Sequence, residues 1–307
     1  MLNTMEQLVA AAAAQTTVCR LAVAAAQDEA VLKAVYLARA RGLVEPILVG
    51  DREAILKIAA EAALPVDPDC IIDEPDKPAA CMKAAALVRD GKASLIMKGF
   101  VDTAHIMKAI LSRENELRTG NQLSHVAVLE IPGYERLFYL ADSAMNIAPT
   151  LEQKVSIINN TVCVAHALGN AEPKVAVLCA VEKVNPKMPC TLDAEALTQM
   201  NKDGEITGCV VEGPLALDNA VSAEAAHHKG ISGPVAGNAD VLIVPDIEAG
   251  NMLNKSIEYF ARGKKAGVIM GAKVPVVLTS RATSAESKMY SIALGALIAA
   301  KKAEADA

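Results

Sequence analysis

The chain has 307 residues, 52% of them apolar and 21% charged, with a net charge of −6, enough apolar material for a full core divided between two lobes. Aromatic residues make up 3% and tryptophan is absent. This balance excludes a nucleic-acid surface, which needs basic patches or stacking rings, so any bound anion must be met by local groups.

From the N-terminus, the stretch LVAAAAAQ follows Glu6 with no preceding Lys or Arg, and it reads as a surface helix rather than a signal sequence. Apolar, β-branched runs then alternate with segments of helical period, the pattern of a mostly parallel sheet covered by helices. Strands are predicted near 18–25, 46–49, 70–73, 94–98, 125–131, 137–141, 175–180, 208–212, 240–245 and 274–280. The intervening helices are predicted over 29–41, 52–63, 78–89, 103–116, 150–168, 193–201, 220–228, 251–262 and 284–302. In the first of these, Val31, Val35 and Ala38 share one face before Gly42, a left-handed stop.

The turn PGYER joins 125–131 to 137–141 as an antiparallel hairpin and breaks the α/β rhythm. The crossing into a second lobe is therefore expected after it. This gives a first lobe of 1–141 plus 281–307 and a second of 142–280, with the turn at Ser280 and Arg281 expected in the interlobe cleft. Apolar runs such as Tyr290 to Ala300 stop short of the roughly 20 residues a membrane span requires, so a soluble protein is expected. Seven cysteines, none in a CxxC pair, fit reduced thiols in a cytoplasmic protein.

No GxGxxG follows a strand, and the nearest approach to a phosphate loop, Gly250 to Ser256, lacks its second glycine. The five histidines form no HExxH and none pairs with a cysteine at zinc spacing, so no metal site is predicted. There is no GxSxG elbow.

Candidate anion contacts remain. Ser280 and Arg281 place a hydroxyl and a guanidinium at the carboxyl edge of a buried strand, ahead of Thr283 and Glu286 at capping-box spacing. The alternative for this stretch is an ordinary turn with a surface arginine. Lys98 closes another strand, with Asp102 or Thr103 as the next N-cap, and is either an anion contact or a solvated strand end. Arg118 in the following loop is a second anion contact or a helix-end cation. Asn146 and Asn251 follow apolar runs, where short polar side chains cap helices or hold ligands.

The segments DSAMNIAPTLEQ, SGPVAGNADVLIVPDIEAGNMLNKSIEYF and VPVVLTSRATSAESK, joined by GFVDTAHIMKAIL and LSHVAVLEIPG, resemble the phosphate acetyl/butyryltransferase family over residues 94 to 300. LTSR-x-x-S-x-E-x-K and IMKG lean toward its phosphate butyryltransferase branch. The resemblance implies a two-lobed three-layer α/β/α fold like the isocitrate and isopropylmalate dehydrogenases, with the active site in the interlobe cleft and a homodimer or higher homo-oligomer. It also implies acyl transfer between coenzyme A and inorganic phosphate, with coenzyme A as substrate and no tightly bound cofactor. The functional serine and arginine of its acetyl-branch members fall on Ser280 and Arg281. An aspartate is expected seven residues after the serine, and here that position holds Ser287 with Glu286 beside it. Either Glu286 serves as base or the thiol is deprotonated differently.

The same residue types suit the chemistry. Arg281 with helix N–H groups would hold phosphate and the developing oxyanion, and Ser280 could bond that oxyanion. With no nucleophile–histidine pair in view, direct transfer in a ternary complex is expected, and the branch resemblance implies butyryl in preference to acetyl. Two alternatives stand further off: a metal- and NAD-dependent hydroxyacid dehydrogenase on the same fold, and a non-catalytic small-molecule-binding module.

Overall fold

A computed structural model describes residues 1–280 and 282–305. The chain forms two compact units, a central one of Met1–Thr4 with Gln122–Lys265 and a terminal one of Met5–Asn121 with Ala266–Ala307.

The terminal unit begins with α1 (Met5–Ala13), β1 (Arg20–Ala24), α2 (Glu29–Ala40), β2 (Glu45–Gly50), α3 (Arg52–Glu61), β3 (Ile71–Asp73), α4 (Lys77–Arg89), β4 (Leu95–Lys98) and α5 (Thr103–Leu111). The central unit holds β5 (Ser124–Glu130), β6 (Leu137–Ala141), α6 (Leu151–Ala167), β7 (Lys174–Leu178), α7 (Pro189–Lys202), β8 (Val210–Leu215), α8 (Leu217–Val221), α9 (Ala223–His228), β9 (Val241–Ile243) and α10 (Ile247–Tyr259). The chain returns through β10 (Lys264–Met270), β11 (Val276–Val277) and α11 (Ala285–Ala305).

In the terminal unit the strand order is β3-β2-β1-β4-β11-β10. The first five strands run parallel, and β10 meets β11 antiparallel through Ile269 and Val276. Sequence order reverses direction at β1 and β4, the switch point beside which open α/β sheets bind ligands. Each strand–helix turn places a helix N-terminus at the same sheet edge. Asp28, Asp51 and Asp76 cap α2, α3 and α4 by accepting from the third backbone N–H onward. In the central unit the order is β5-β6-β9-β7-β8, antiparallel only within the β5–β6 hairpin.

The observed division differs from the expected one at both crossings. The hairpin belongs with the central unit because β6 pairs with β9. Residues 266–280 belong with the terminal unit because β11 pairs with β4 in register, Val276 with Ile96 and Val277 with Met97.

Two features hold α11 on the terminal sheet. A Cβ on Gly295 would come within 2.6 Å of Leu95, so the missing side chain lets the helix lie directly on β4. At the other end of the unit's core, Met5 and Leu8 of α1 are fully buried, and α1 packs along α11. No helix of the described residues is long and apolar enough to cross a membrane.

Candidate functional site

Strands β4 and β11 are parallel neighbours, so the chain leaves both at the same sheet edge. That topology brings the Lys98 turn beside the Ser280 turn. The Lys98 side chain is 7% exposed, and its ammonium folds back to donate to Val101 O (2.9 Å) and Gly99 O (3.3 Å). The same turn lies against the end of β1, where Gly99 N donates to Ala24 O (2.8 Å) and Phe100 N to Ala25 O (2.7 Å). A Cβ on Gly99 would stand 2.2 Å from Ala25 O, so only glycine permits this approach. Asp102 occupies the N-cap position of α5, and Thr103 opens the helix.

At β11 the exit turn is built differently. Thr283 N donates to Ser280 O (3.1 Å), and Ala282 N reaches Ser280 Oγ (3.4 Å). The buried ammonium of Lys288, from the first turn of α11, donates to Ser280 O (3.1 Å) and to Thr283 O. Arg281 lies outside the described residues.

The expected Thr283–Glu286 capping box does not form as read from spacing. Ser284 Oγ accepts from Ser287 N (3.2 Å), so Ser284 is the capping hydroxyl and Ser287 sits three residues inside the helix. Glu286 turns to another side of α11, where Tyr290 Oη donates to its Oε1 (2.9 Å). Burial, and then the carboxylates of Glu286 and Glu6, hold the Tyr290 phenol protonated well above its ordinary range.

Arg118 is not brought to this edge. Its backbone bridges Ala272, and Thr119 Oγ1 donates to Gly271 O, which places the segment on the β10–β11 connection, at the far end of β11 from Ser280.

Asn146 and Asn251 belong to the central unit and both bond to the DSAMN turn or its flank, Asn146 buried and Asn251 exposed. Asn146 Nδ2 donates to Asp142 Oδ2 (2.6 Å) and Leu123 O (2.9 Å), while its Oδ1 accepts from Gln122 (2.6 Å). Asn251 Nδ2 donates to Ser143 O (3.3 Å). Asp142 Oδ1 also accepts from Ala144 N and Met145 N, closing the DSAMN turn. His125 Nδ1 and Ser143 Oγ are 3.0 Å apart, and burial pushes the His125 pKa down.

Three of these groups, Lys288, His125 and Ser143, are given no role by sequence alone. Lys288 ends the LTSR-x-x-S-x-E-x-K pattern, yet the pattern does not say what the lysine does. His125 lies inside an apolar strand, where a lone histidine reads as core.

Three of the seven thiols are poorly suited to act as nucleophiles. Burial pushes Cys81 and Cys209 up to about 11, and burial with a hydrogen bond to Cys190 takes Cys179 to about 12, so all three are protonated at neutral pH. Among the described residues no three His, Cys, Asp or Glu side chains converge to hold a metal. A cavity of about 560 Å³ opens at the amino ends of β1 to β3, lined by Arg20, Ile47, Asp67, Cys70, Ile72 and Lys92, at the opposite edge from Ser280.

Two buried lysines and a serine turn gather at one carboxyl sheet edge of this α/β chain, beside a helix that starts on a neutral cap, an arrangement suited to an anion. Residues 74–296 match the family model described as Phosphate acetyl/butaryl transferase, and the chain belongs to that family. It is 51% identical over 283 residues to a phosphate butyryltransferase from Clostridium acetobutylicum, covering 92% of this chain and 94% of that one. A phosphate acetyltransferase from Thermotoga maritima is 49% identical over 280 residues, covering 91% and 95%. Among solved structures, a branched-chain phosphotransacylase from Enterococcus faecalis superposes with a TM-score of 0.81 at 35% identity, covering 92% of this chain and 99% of that one. In fold alone the chain is also similar to a 4-hydroxythreonine-4-phosphate dehydrogenase from Burkholderia phymatum, with a TM-score of 0.52 at 12% identity. The architecture is thus dehydrogenase-like, as the resemblance implied.

Proposed function

We propose that this chain transfers an acyl group, butyryl in preference to acetyl, between coenzyme A and inorganic phosphate: acyl-CoA + phosphate = acyl phosphate + CoA. The observation that carries the reading is the Ser280 turn at the N-terminus of α11. Asp28, Asp51 and Asp76 put a carboxylate on the starts of α2, α3 and α4, whereas α11 begins on the neutral Ser284. An anion at the start of α11 meets the N–H groups of the helix N-terminus and a neutral cap, while Glu286 of the first turn is bonded to Tyr290.

In the proposed reaction a phosphate oxygen attacks the thioester carbonyl. A carbon–oxygen bond forms, the tetrahedral oxyanion collapses, and the carbon–sulfur bond breaks to release coenzyme A as thiolate. Arg281 and the first N–H groups of α11 hold the phosphate, while the Ser280 hydroxyl bonds the oxyanion. Lys98, Asp102 and Thr103 border the neighbouring turn, where they would meet substrate. A thiolate whose conjugate acid has a pKa of about 8.5, taken as that of Cys, leaves without a strong acid. Ser287 in place of the family's aspartate is consistent with that, and Glu286 is a base only if it leaves Tyr290.

We read transfer as direct, in a ternary complex, with coenzyme A as substrate and no tightly bound cofactor. Phosphate-dependent release of free thiol from butyryl-CoA tests the activity, and an acylated protein trapped during turnover and seen by mass spectrometry would overturn direct transfer. An acetyl preference is the second reading, because the Thermotoga maritima relative carries that name at similar identity. Comparing acetyl-, propionyl-, butyryl- and isobutyryl-CoA decides between them.

The assembly is read as a homodimer in the cytoplasm. On α10, Met252 and Tyr259 share a face seven residues apart and are 64% and 61% exposed, with Phe260 after them at 88%. So much exposed apolar surface on one helix suits a second copy. Phe260→Asp is expected to shift the sedimenting species toward monomer. An unchanged sedimentation profile would remove this face from the interface.

A further inference from the structure

β7 and α7 bring together two thiols, Cys179 and Cys190, that sequence spacing leaves unrelated. Gly213 of β8 fixes the register between them: a Cβ built there would stand 2.9 Å from the Cβ of Val177 and 3.1 Å from the Cβ of Ala194. Cys179 follows Val177 by two residues on the same face of the strand, and Cys179 N donates to Leu215 O (2.8 Å), so the ladder with β8 reaches it. Cys190 precedes Ala194 by four residues, one turn nearer the start of α7 on the same helix face. Because β7 and β8 are parallel, α7 between them runs back against both. The strand step and the helix step therefore lead toward the same carboxyl edge, by about 6–7 Å each. They end in a contact, in which the Cys179 thiol keeps its proton and hydrogen-bonds to Cys190. Both thiols are free, and neither is fully buried. The loop between them is folded against α7, since Asn185 N donates to Thr191 Oγ1 (2.9 Å) and Thr191 Oγ1 to Met188 O (2.8 Å).

We propose that Cys179 and Cys190 form a reversible thiol–disulfide site, closed by low-molecular-weight disulfides and reopened by thiols. Cys190 is the second residue of α7, where the helix dipole favours negative charge, and it acts as the attacking sulfur. Its thiolate forms a bond to one sulfur of the external disulfide, the external S–S bond breaks, and a thiolate leaves. Cys179 then gives up its proton to departing thiolate and attacks the Cys190 sulfur, expelling the second external thiolate. Two protein thiols are thereby oxidised to one disulfide, and one external disulfide is reduced to two thiols. The ammonium of Lys154, held by Asp193 at 2.6 Å, lies close enough to favour the charged form of Cys179 during that second attack. The proposed acyl transfer assigns no residue of β7 or α7, so this inference stands independently of it.

The test incubates the full chain with 2-hydroxyethyl disulfide under native conditions, blocks the remaining thiols with iodoacetamide in denaturant, and maps the peptides by mass spectrometry. The expected product is a cross-linked Cys179–Cys190 peptide, with both residues lost from the alkylated pool and recovered after dithiothreitol. Cys179→Ser is expected to trap the external thiol as an adduct on Cys190. In Cys190→Ser, Cys179 should be modified about tenfold or more slowly than Cys190 is in Cys179→Ser, because a protonated thiol is not the attacking form. A wild-type chain in which both cysteines stay open to alkylation, or in which Cys190 carries an adduct that never resolves onto Cys179, would overturn the site. Equal rates in the two serine variants would overturn the order of attack. The wild-type map requires no substitution, so it decides even where a serine variant fails to fold.

Discussion

Tyr290 donates its phenolic hydrogen to Glu286 Oε1 across 2.9 Å, one turn along α11, and Glu6 Oε1 of α1 stands 3.1 Å from the same phenol oxygen. One hydroxyl proton thus lies between two carboxylates, and the glutamate beside the family's aspartate position is tied to helix packing. Lys288, two residues on, projects to a different side of the helix, because successive residues turn by about 100°. Glu286→Gln keeps an oxygen that can accept from Tyr290. It is expected to hold kcat within about threefold, and Tyr290→Phe should behave alike with a slightly lower Tm. A loss of 100-fold or more in Glu286→Gln, the scale of a missing general base, would restore the carboxylate to the chemistry.

Removing the groups assigned to the oxyanion and phosphate has a different signature. Ser280→Ala is expected to lower kcat by about 10- to 1,000-fold with the phosphate KM little changed, since a bond made in the transition state is lost. Arg281→Ala is expected to raise the phosphate KM and lower kcat together, because its guanidinium serves ground state and transition state alike. Steady-state kinetics with phosphate and butyryl-CoA varied separately distinguish the two patterns. Wild-type constants in Arg281→Ala would remove the guanidinium from the site.

The strand and helix alternation was legible because β1, β2 and β3 are short apolar runs each followed by a capping aspartate, Asp28, Asp51 and Asp76. β10 was not legible. It opens with Lys264 and Lys265 and contains Gly267, so its composition reads as a connection. Only tertiary contacts explain it: Lys265 pairs with Glu258, and Ile269 faces Val276 of β11. Missing that strand moved the expected lobe boundary to residue 280.

The candidate site shows the same limit. Ser280 and Lys98 could be placed at strand ends from pattern alone, and parallel pairing of β4 with β11 then makes the two turns neighbours. Arg118 could not be excluded from sequence, since a loop arginine carries no sign of which sheet edge it joins. Its bridge to Ala272 is a long-range pairing. Nor does spacing distinguish Thr283 from Ser284 as the cap of α11, because both are hydroxyl residues ahead of a helical run.

The Lys98 turn depends on the absence of a side chain at Gly99. Gly99→Ala would force its Cβ against Ala25 O at 2.2 Å, and a backbone oxygen cannot swing aside as a side-chain end can. Overpacking of this kind costs about 1–3 kcal/mol. Because the shift falls on the turn that Lys98 ties, activity should fall more than stability. Thermal unfolding and kcat/KM measured on the same preparation test this, and a variant with both unchanged would show that the β1 and β4 exits move apart freely.

His125 sets how the central unit responds to acid. Its ring is buried beside Ser143, with Asp142 and Lys265 the charged groups acting on it. Burial lowers its pKa and Lys265 lowers it further, while Asp142 opposes both, so the neutral ring is favoured in the fold. In the unfolded chain a histidine binds its proton near pH 6.5. Below that value the unfolded state therefore holds a proton that the folded state refuses. Stability is present above about pH 6.5 and falls as the medium is acidified, by up to about 1.4 kcal/mol for each pH unit per proton. His125→Gln can retain a hydrogen bond to Ser143 without titrating. Between about pH 7 and pH 5 its unfolding free energy is expected to decline less steeply than that of the wild type. Parallel slopes in urea titrations across that range would mean that the ring takes up its proton without opposing the fold.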